Sequence, residues 1–410
     1  MHPTSRPEIR DTADAKIYWP HLDGLRFIAF VLVFVSHLGP IHAGAPSSLS
    51  GFIVGSLNLV SAWGWSGVDL FYVLSGFLIT TLLAAERNRF GEIRYWQFFA
   101  RRTLRIWPLY YWIVLVSCLV LPVWGVWDVL LGTPAWWLMI ERYAGWYGVF
   151  LGNLPISWHE AAGITPLLGV MWSVCMEEQF YLTWGGIMCR VKQFRALIAI
   201  TIGAAIVSLI AREMFMRHAV SHISYYYHSL SHLDPFALGC LSSLLYFQTK
   251  RFGQWVNQYA AWVTLAGLML WISLVLFLPS IFENRHSNLW MISLVAISWS
   301  MVVLGVMNWR RVQGVLSFPL LVHCGKLTYG MYAYHYLCIY LSTRWTGFKY
   351  GQASLKEWLV EGLIALLLTY AFARLSWKIL EHPAISMRRR FTRVRSGLDD
   401  ERDGTRRADG

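Results

Sequence analysis

The chain has 410 residues, of which 56% are hydrophobic and only 14% are charged, and its mean hydropathy is +0.44. This composition excludes a soluble globular protein and predicts a polytopic membrane protein. The formal net charge of +12 could suggest a nucleic-acid ligand, but the arginines cluster at the ends of apolar segments and in the C-terminal tail. Because the positive-inside rule accounts for that distribution, we predict no nucleic-acid partner.

Apolar segments near the length of a membrane span predict an all-α bundle of about ten transmembrane helices. They cover residues 22–39, 64–84, 105–125, 167–189, 196–211, 230–247, 257–279, 289–307, 319–342 and 357–378. Residues 134–155 are also apolar, but their Trp and Tyr content favours an interfacial or re-entrant element. Basic residues follow every even-numbered span, so both termini are predicted to be cytoplasmic.

The chain divides into a cytoplasmic N-terminal segment at 1–20, one transmembrane domain at 21–385 and a basic, disordered cytoplasmic tail at 386–410. The six cysteines have no C-x-x-C or zinc-ligand spacing, so we interpret them as free thiols and predict no metal site. The oligomeric state is left open by the sequence.

The first span carries two ionisable side chains, Arg26 and His37. Eleven residues make about three helical turns, so these side chains lie about 20° apart on one face and ~17 Å apart along the helix. A structural histidine and an interfacial arginine would satisfy this pattern. Since an ionisable group in lipid is costly, the pattern equally marks a candidate functional site.

A second basic cluster, ARRTLRIWPLYY (100–111), leads into the third span and contains Arg101, Arg102 and Arg105. Guanidinium groups match phosphate oxygens in a bidentate geometry. A positive-inside anchor is the alternative interpretation. Because Arg26 is predicted at the same boundary, the convergence favours a polyphosphate ligand, with Arg101 as the weaker candidate.

The segment MWSVCMEEQFYL (171–182) places two carboxylates in mid-membrane, Glu177 and Glu178. Ser173, Glu177 and Tyr181 recur at intervals of four residues, so they share one helical face. Glu178 points about 100° away and is a candidate for a structural ion pair. We therefore assign Glu177 to the candidate site.

Two further spans carry polar residues. GVDLFYVLSGFLIT (67–80) begins with Asp69 near the outer boundary and contains Ser75 and Gly76, where the glycine favours close helix packing. KLTYGMYAYHYL (326–337) has one polar face, which either lines a cavity or forms hydrogen-bonded packing contacts; it carries Thr328, Tyr332 and His335. The closing motif at 381–383, Glu-His-Pro, is interpreted as a helix stop.

Taken together, these segments resemble the membrane-bound acyltransferase-3 family, which O-acylates sugars and related acceptors. The matching segments occur in the family's order across 20–385: LDGLRFIAFVLVFVSH, VDLFYVLSGFLI, RRTLRIWPLYY, WSVCMEEQFYL, LTYGMYAYH and the terminal Glu-x-Pro. The resemblance implies ten helices, cytoplasmic termini and an acyl-CoA donor, usually acetyl-CoA, bound from the cytoplasm.

Carried over by position, the resemblance implies that His37 is catalytic, that Glu177 supports the site, and that the CoA phosphates contact Arg26, Arg102 and Arg105. The remaining candidates for substrate contact or support are Asp69, Ser75, Ser173, Tyr181, Tyr332 and His335. One departure is evident: SHLDPFALG (231–239) has His232 where the family's arginine is expected before Asp234.

The sequence therefore predicts an integral O-acyltransferase of a bacterial plasma (inner) membrane that moves an acyl group, most simply acetyl, from CoA to a hydroxyl of a carbohydrate, polysaccharide or glycolipid. His37 would act as general base or form a transient acyl-imidazole, and Glu177 would orient or stabilise its imidazolium. An extended pantetheine arm has roughly the reach needed between the arginines and His37.

Two alternatives stay open at this point. A proton-coupled transporter or a lipid-linked sugar flippase would also place His and Glu side chains inside the membrane. A second alternative keeps the enzyme but makes the acceptor a cytoplasmic small molecule, such as a macrolide, since the family resemblance does not specify the acceptor.

Overall fold

The computed structural model describes residues 17–42, 49–120, 143–159, 165–218, 224–280, 288–348 and 351–391. Every regular element within these ranges is helical, as predicted. We number the helices of fifteen or more residues there as α1 (Pro20–Leu38), α2 (Leu49–Trp63), α3 (Ser66–Phe90), α4 (Tyr95–Leu115), α5 (Trp172–Arg190), α6 (Phe194–His218), α7 (Leu233–Gln248), α8 (Ala260–Phe277), α9 (Asn288–Val306), α10 (Pro319–Thr346) and α11 (Leu355–Ser376).

Each of the ten predicted spans overlaps one of these helices. In the described ranges, seven helices are long and apolar enough to cross a membrane: α1, α3, α4, α6, α8, α9 and α11. The chain is therefore an integral membrane protein. The other three predicted spans match α5, α7 and α10; α7 has only 16 residues, and α5 and α10 carry the polar faces noted in the sequence.

Helix α2 is an element that the sequence analysis did not predict. Its 15 residues, LSGFIVGSLNLVSAW, are too few for a full span. It packs against α1 and α8, at the end of α1 that carries His37, where Ser61 Oγ donates to the carbonyl oxygen of Val35 at 3.3 Å. Of the predicted interfacial or re-entrant element at 134–155, residues 134–142 lie outside the described residues, and 143–155 contains the short helix Gly145–Gly148 and the start of the short helix Asn153–His159.

The basic connection between the second and third spans is shorter than predicted. Helix α3 runs to Phe90, where Gly91 ends it with a left-handed φ of 73°, and α4 begins at Tyr95. The arginines of the second cluster therefore belong to a helix. Long arginine side chains can reach a polar boundary while their backbone stays helical, so charge density alone does not end a helix.

The motif at 381–383 is not a helix stop, contrary to the prediction. A π-helical turn, Trp377–Glu381, continues α11, and the short helix His382–Met387 and the turn Arg388–Phe391 follow. The proline lies in the first turn of the short helix, where its missing N–H removes no hydrogen bond. The predicted tail boundary at 386 falls inside this ordered segment, and residues 392–410 lie outside the described ranges.

Helices α3 and α7 cross with their backbones in contact. A Cβ at Gly76 would lie 2.3 Å from the carbonyl oxygen of Phe236, and a Cβ at Gly239 would lie 2.2 Å from that of Val73. The two glycines thus form a reciprocal contact in which neither position has room for a side chain. The close packing predicted for Gly76 is confirmed, and Gly239 supplies its counterpart.

We predict that Gly239→Ala lowers the melting temperature of the detergent-solubilised protein, because the added methyl forces α3 and α7 apart at a cost of about 1–3 kcal/mol. Gly203→Ala on α6 is the matched control, since an added Cβ there meets no atom within 4 Å; it should be neutral or slightly stabilising, as alanine favours the helix. Equal melting temperatures for the two variants would contradict the packing argument.

Candidate active site

Three cavities follow one another along α1 within the described part of the chain. The basic cavity is lined by Tyr18, Trp19, Asp23, Arg26, Leu78, Arg102, Arg105 and Arg388, among others. The middle cavity includes Arg26, Val68, Phe71, Ser75, Leu78, Arg102, Arg105, Ser173, Glu177, Tyr181, Thr328 and Tyr332. The histidine cavity includes His37, Asn58, Ser61, Trp65, Val68, Trp172, Tyr226, Tyr227 and Tyr332. Neighbouring cavities share lining residues, so they form a series.

The basic cavity concentrates positive charge. Arg26 on α1 donates to Asp23 Oδ1 at 2.7 Å. In the described residues, neither Arg102 nor Arg105 on α4 forms an ion pair with a carboxylate. The Arg102 guanidinium instead lies 5.3 Å from the ring centroid of Tyr181. Guanidinium groups that face a cavity in this way are suited to an anionic ligand.

Two other charged candidates make structural contacts and line none of the three cavities. Arg101 donates from Nη2 to Glu86 Oε2 at 2.9 Å and from Nη1 to the carbonyl oxygen of Phe391 at 2.7 Å. Glu178 accepts from Trp107 Nε1 at 3.2 Å. The weaker phosphate candidate thus ties α3 to the C-terminal segment, and Glu178 faces away from the cavities, as the helical spacing predicted.

Glu177 lies in the middle cavity as part of a polar chain. Its Oε1 accepts from Ser75 Oγ at 2.5 Å and from the hydroxyl of Tyr181. Because the Tyr181 ring lies beside Arg102, the carboxylate is connected through that tyrosine to the basic cavity. Ser173, Glu177 and Tyr181 all line this cavity, which confirms that they share one face of α5.

His37 lines the next cavity, with one of its nitrogens engaged. Its Nδ1 lies 2.9 Å from the carbonyl oxygen of Val33 and 3.2 Å from Nε2 of His335. The other nitrogen of His335, Nδ1, lies 2.5 Å from the carbonyl oxygen of Tyr332, so in neutral His335 that atom carries the proton and Nε2 accepts. Nδ1 of His37 then holds a proton, and its Nε2 has a lone pair.

The predicted contact between Glu177 and His37 is absent from the described residues. The carboxylate is held in the middle cavity by side chains of α3 and α5, whereas the partner of the imidazole is His335 on α10. Helical spacing shows which residues of one helix share a face, but it does not show which helix lies opposite. Glu177 can therefore act on His37 only through intervening groups.

The middle and histidine cavities have side chains in common. Tyr332 and Val68 line both cavities. Ser173 Oγ donates to the carbonyl oxygen of Val170 at 3.1 Å and lies 2.7 Å from the hydroxyl of Tyr332. The Tyr332 side chain, positioned by Ser173, is therefore part of the wall that the two cavities share.

Asp69 supports the site from outside the cavities. It is fully buried and lies 2.9 Å from Nε2 of His232, whose Nδ1 donates to the carbonyl oxygen of Tyr226 at 2.8 Å. Tyr226 lines the histidine cavity. The Asp69–His232 pair therefore holds the backbone at Tyr226, whose side chain forms part of the cavity wall, and the pair itself does not line a cavity.

The arginine expected at position 232 has a substitute on a neighbouring helix. Arg212 of α6 forms a bidentate ion pair with Asp234, at 2.9 Å for both hydrogen bonds. It also donates to the carbonyl oxygen of Ser231 at 2.6 Å. The departure from the family pattern is thus matched by two compensations: Arg212 neutralises Asp234, and His232 pairs with Asp69.

Sequence reasoning missed most of the wall of the histidine cavity. The unpredicted helix α2 supplies Asn58 and Ser61, and the other missed residues are Trp65, Trp172, Tyr226, Tyr227 and Ser280. The Tyr-Tyr-Tyr run at 225–227 is the one available signal in the sequence, because three consecutive tyrosines between His222 and His228 are unusual for a solvated connection. These side chains give the cavity an aromatic and hydroxyl-bearing surface.

Comparisons with known proteins show the family of the chain. The family model described as "Acyltransferase domain" matches residues 19–377. The chain belongs to the acyltransferase-3 family. The family prediction is thereby confirmed, and so is the expectation of an acyltransferase at the level of the family.

The relatives of the chain are named O-acetyltransferases. It is 24% identical over 383 residues to the peptidoglycan O-acetyltransferase OatA of Listeria monocytogenes, covering 91% of this chain and 57% of the relative. It is 25% identical over 386 residues to a putative O-acetyltransferase of Staphylococcus aureus strain MSSA476, covering 89% and 57%. It is 24% identical over 381 residues to the O-acetyltransferase OatA of S. aureus strain NCTC 8325, covering 89% and 57%. The chain thus spans little more than half the length of these relatives. No solved structure matches it.

We predict that Arg212→Met strongly destabilises the protein, because it leaves the buried Asp234 carboxylate without its cation at a cost of about 3–5 kcal/mol. The control is Arg217→Gln on the same helix, where the arginine side chain is 72% exposed and its pair with Glu213 is at the surface; such pairs contribute at most about 1 kcal/mol. Thermal unfolding in detergent compares the two. Similar melting temperatures would show that the buried pair is not structural.

Proposed function

We propose that this protein is a membrane O-acyltransferase that transfers an acyl group, most simply acetyl, from acyl-CoA to a hydroxyl of a carbohydrate, polysaccharide or glycolipid. The observation that carries the proposal is the series of cavities along α1, with arginines at one end and the His37 imidazole at the other. Ten spans with cytoplasmic termini in a bacterial plasma membrane would place the basic cavity at the cytoplasmic surface.

The donor would bind along the series. Arg26, Arg102 and Arg105 would hold the CoA phosphates in the basic cavity, and the pantetheine arm would extend through the middle cavity, whose wall mixes apolar and polar side chains. Along a helix, the rise from Arg26 to His37 is ~17 Å, which an extended arm can span. The thioester would then reach the Tyr332 boundary, next to the histidine cavity.

The reaction needs one base at the acceptor hydroxyl. His37 Nε2 accepts the hydroxyl proton while the acceptor oxygen attacks the thioester carbonyl carbon; the C–S bond breaks, and the leaving CoA sulfur takes the proton from the imidazolium. Throughout, the Nδ1–H of His37 faces the carbonyl oxygen of Val33 and Nε2 of His335. Alternatively, Nε2 attacks the thioester carbonyl carbon, the C–S bond breaks and CoA leaves as its thiolate; the acceptor hydroxyl then displaces the imidazole from the acyl-imidazolium, and its proton passes to the thiolate.

Glu177 would act on the donor side of the site. Its carboxylate holds the Tyr181 hydroxyl, and the Tyr181 ring supports the guanidinium of Arg102. The contacts from Glu177 through Tyr181 would thus orient Arg102, a proposed phosphate-binding residue. The Glu177 carboxylate would also place a negative charge that attracts Arg102 within a desolvated region. Glu177 would thus be a positioning residue for the donor.

The acceptor would enter the histidine cavity. Its tryptophan and tyrosine rings offer flat apolar faces, and its hydroxyl groups offer hydrogen bonds, a combination that suits a sugar ring. The name of the Listeria relative, a peptidoglycan O-acetyltransferase, supports a carbohydrate acceptor. An acceptor in this cavity would approach His37 from the side opposite the arginines.

Purified protein in nanodiscs, given labelled acetyl-CoA and candidate acceptors, tests the proposal directly. Release of CoA with transfer of the label to a carbohydrate supports it, and transfer to a cytoplasmic small molecule such as a macrolide would change the acceptor. Proton-gradient-driven uptake into proteoliposomes, without binding of CoA, would establish a transporter or flippase in place of the enzyme.

We predict that His37→Ala abolishes acyl transfer while leaving acetyl-CoA binding within about twofold of wild type. General-base catalysis contributes about 10²–10⁴-fold to a rate, whereas the donor phosphates bind elsewhere. Turnover assays and equilibrium binding of labelled donor measure the two effects. His42→Ala, at an exposed position, should retain full activity, and a fully active His37→Ala variant would remove the mechanism.

We predict that His335→Leu lowers kcat by on the order of 10-fold to 100-fold with little change in the donor KM, because the imidazole of His37 loses its acceptor and its orientation. His335→Gln should recover much of the rate, since an amide oxygen can accept the Nδ1–H of His37. The pH profile of kcat should also shift in the leucine variant. Equal losses in both variants, with unchanged pH profiles, would indicate a packing role only.

A further inference from the structure

The segment that follows the family-matched residues contributes to the basic cavity. The match ends at residue 377, and the helix His382–Met387 and the turn Arg388–Phe391 come after it. Both pack against α4. Arg388, at the start of the turn, lines the basic cavity and is only 7% exposed. A residue of the predicted disordered tail is therefore part of a cavity wall.

This position is unlike that of an interfacial anchor. An arginine that only marks the membrane boundary extends its guanidinium into water, whereas Arg388 is buried. It shares the cavity with Arg26, Arg102 and Arg105, and the acidic residue of that wall, Asp23, is already paired with Arg26. Like charges repel strongly where water is scarce, so this concentration of guanidinium groups favours a multivalent anion.

The distribution of the arginines between two cavities indicates which phosphate group of the anion each arginine would contact. Arg26, Arg102 and Arg105 line both the basic and the middle cavity, whereas Arg388 lines the basic cavity and not the middle one. Arg388 is thus the arginine most distant from the path to His37. In acyl-CoA the diphosphate adjoins the pantetheine arm, and the 3′-phosphate of the ribose lies beyond it.

We infer that Arg388 binds the 3′-phosphate of the acyl-CoA donor, while the α1 and α4 arginines bind its diphosphate. This inference rests on the proposed function and assigns one of the donor's phosphates to a residue outside the family-matched region. A phosphate monoester carries a charge of about −1.5 to −2 near neutral pH, and a guanidinium fork can hold it with two hydrogen bonds.

Arg101 has a defined part in this arrangement. Its Nη1 donates to the carbonyl oxygen of Phe391, at the end of the same turn, and its Nη2 pairs with Glu86 on α3. The guanidinium thereby clamps the turn that begins with Arg388 onto the bundle. Arg101 is a positioning residue: it touches no donor atom and acts through the backbone of the C-terminal segment.

The experiment compares acetyl-CoA with 3′-dephospho-acetyl-CoA as ligands of the full-length protein in nanodiscs. Wild type should bind acetyl-CoA more tightly than the dephospho donor, by about 10-fold to 100-fold, the range for a charge-assisted hydrogen-bonding contact. Arg388→Gln should lose this preference and bind both donors as wild type binds the dephospho form. Arg388→Lys should keep part of the preference. The control is Arg311→Gln, an exposed arginine outside the three cavities, which should behave as wild type.

The results distinguish a failure of the inference about Arg388 from a failure of the proposed function. If Arg388→Gln keeps the wild-type preference for acetyl-CoA, the inference is wrong and the proposed function stands. If Arg388→Gln weakens both donors equally, the 3′-phosphate is not its ligand. If wild type binds neither donor, the proposed function fails together with the inference.

A double-mutant cycle tests the role of Arg101. Arg101→Gln should reduce the preference for the 3′-phosphate, and the double variant with Arg388→Gln should lose no more than the single Arg388 variant, because both changes remove the same contact. Additive losses would mean that Arg101 acts independently of the C-terminal turn.

Discussion

An ionisable side chain inside an apolar bundle requires a partner, and this constraint accounts for much of how the helices are joined. Arg212 pairs with Asp234 and connects α6 to α7. His232 pairs with Asp69 and connects the start of α7 to α3. Arg101 pairs with Glu86 and connects α4 to α3. The two arginine pairs neutralise charge, the His232–Asp69 contact gives a buried carboxyl group a hydrogen-bond partner, and all three join helices of the bundle that contains the cavities.

The basic side chains that do not follow this rule line the candidate site. In the described ranges, Arg102 and Arg105 face the basic cavity without a carboxylate partner, and His37 faces its cavity with the imidazole of His335 as neighbour. Two arginines are equally basic in sequence, and only the structure shows which of them has a carboxylate partner. The contrast between Arg101 and Arg102, adjacent in the chain, shows this most directly.

Geometry within one helix was predictable from the sequence. The shared face of Ser173, Glu177 and Tyr181 lines the middle cavity, and the polar stripe on α10 supplies both Tyr332 and His335 to the site. These predictions succeed because the rotation per residue of an α-helix is constant. The apolar spans were predictable for a related reason, since lipid requires long uninterrupted runs of apolar side chains.

Contacts between helices were not predictable in the same way. Glu177 pairs with Ser75 and Tyr181 and not with His37, and Asp69 pairs with a histidine 163 positions away. Helix α2 escaped prediction because it is too short to span a membrane, so the hydropathy pattern that reveals spans does not select it. Because α2 was not predicted, Asn58 and Ser61 were not predicted as lining residues, and the shape of the histidine cavity could not be inferred.

The separation of the arginines from His37 has a consequence for catalysis. Interactions with a remote part of a substrate can place its reactive group even where that group is held weakly, so phosphate binding at the basic cavity can position a thioester deep in the bundle. In the proposed enzyme, the apolar part of the middle cavity would limit the access of water, which would otherwise hydrolyse a thioester donor. An ion or a proton has no remote group that the arginines could bind, so a proton-coupled ion transporter would not need a basic cavity at one end of the path. The arrangement therefore favours a long donor with phosphates at one end and a transferable group at the other.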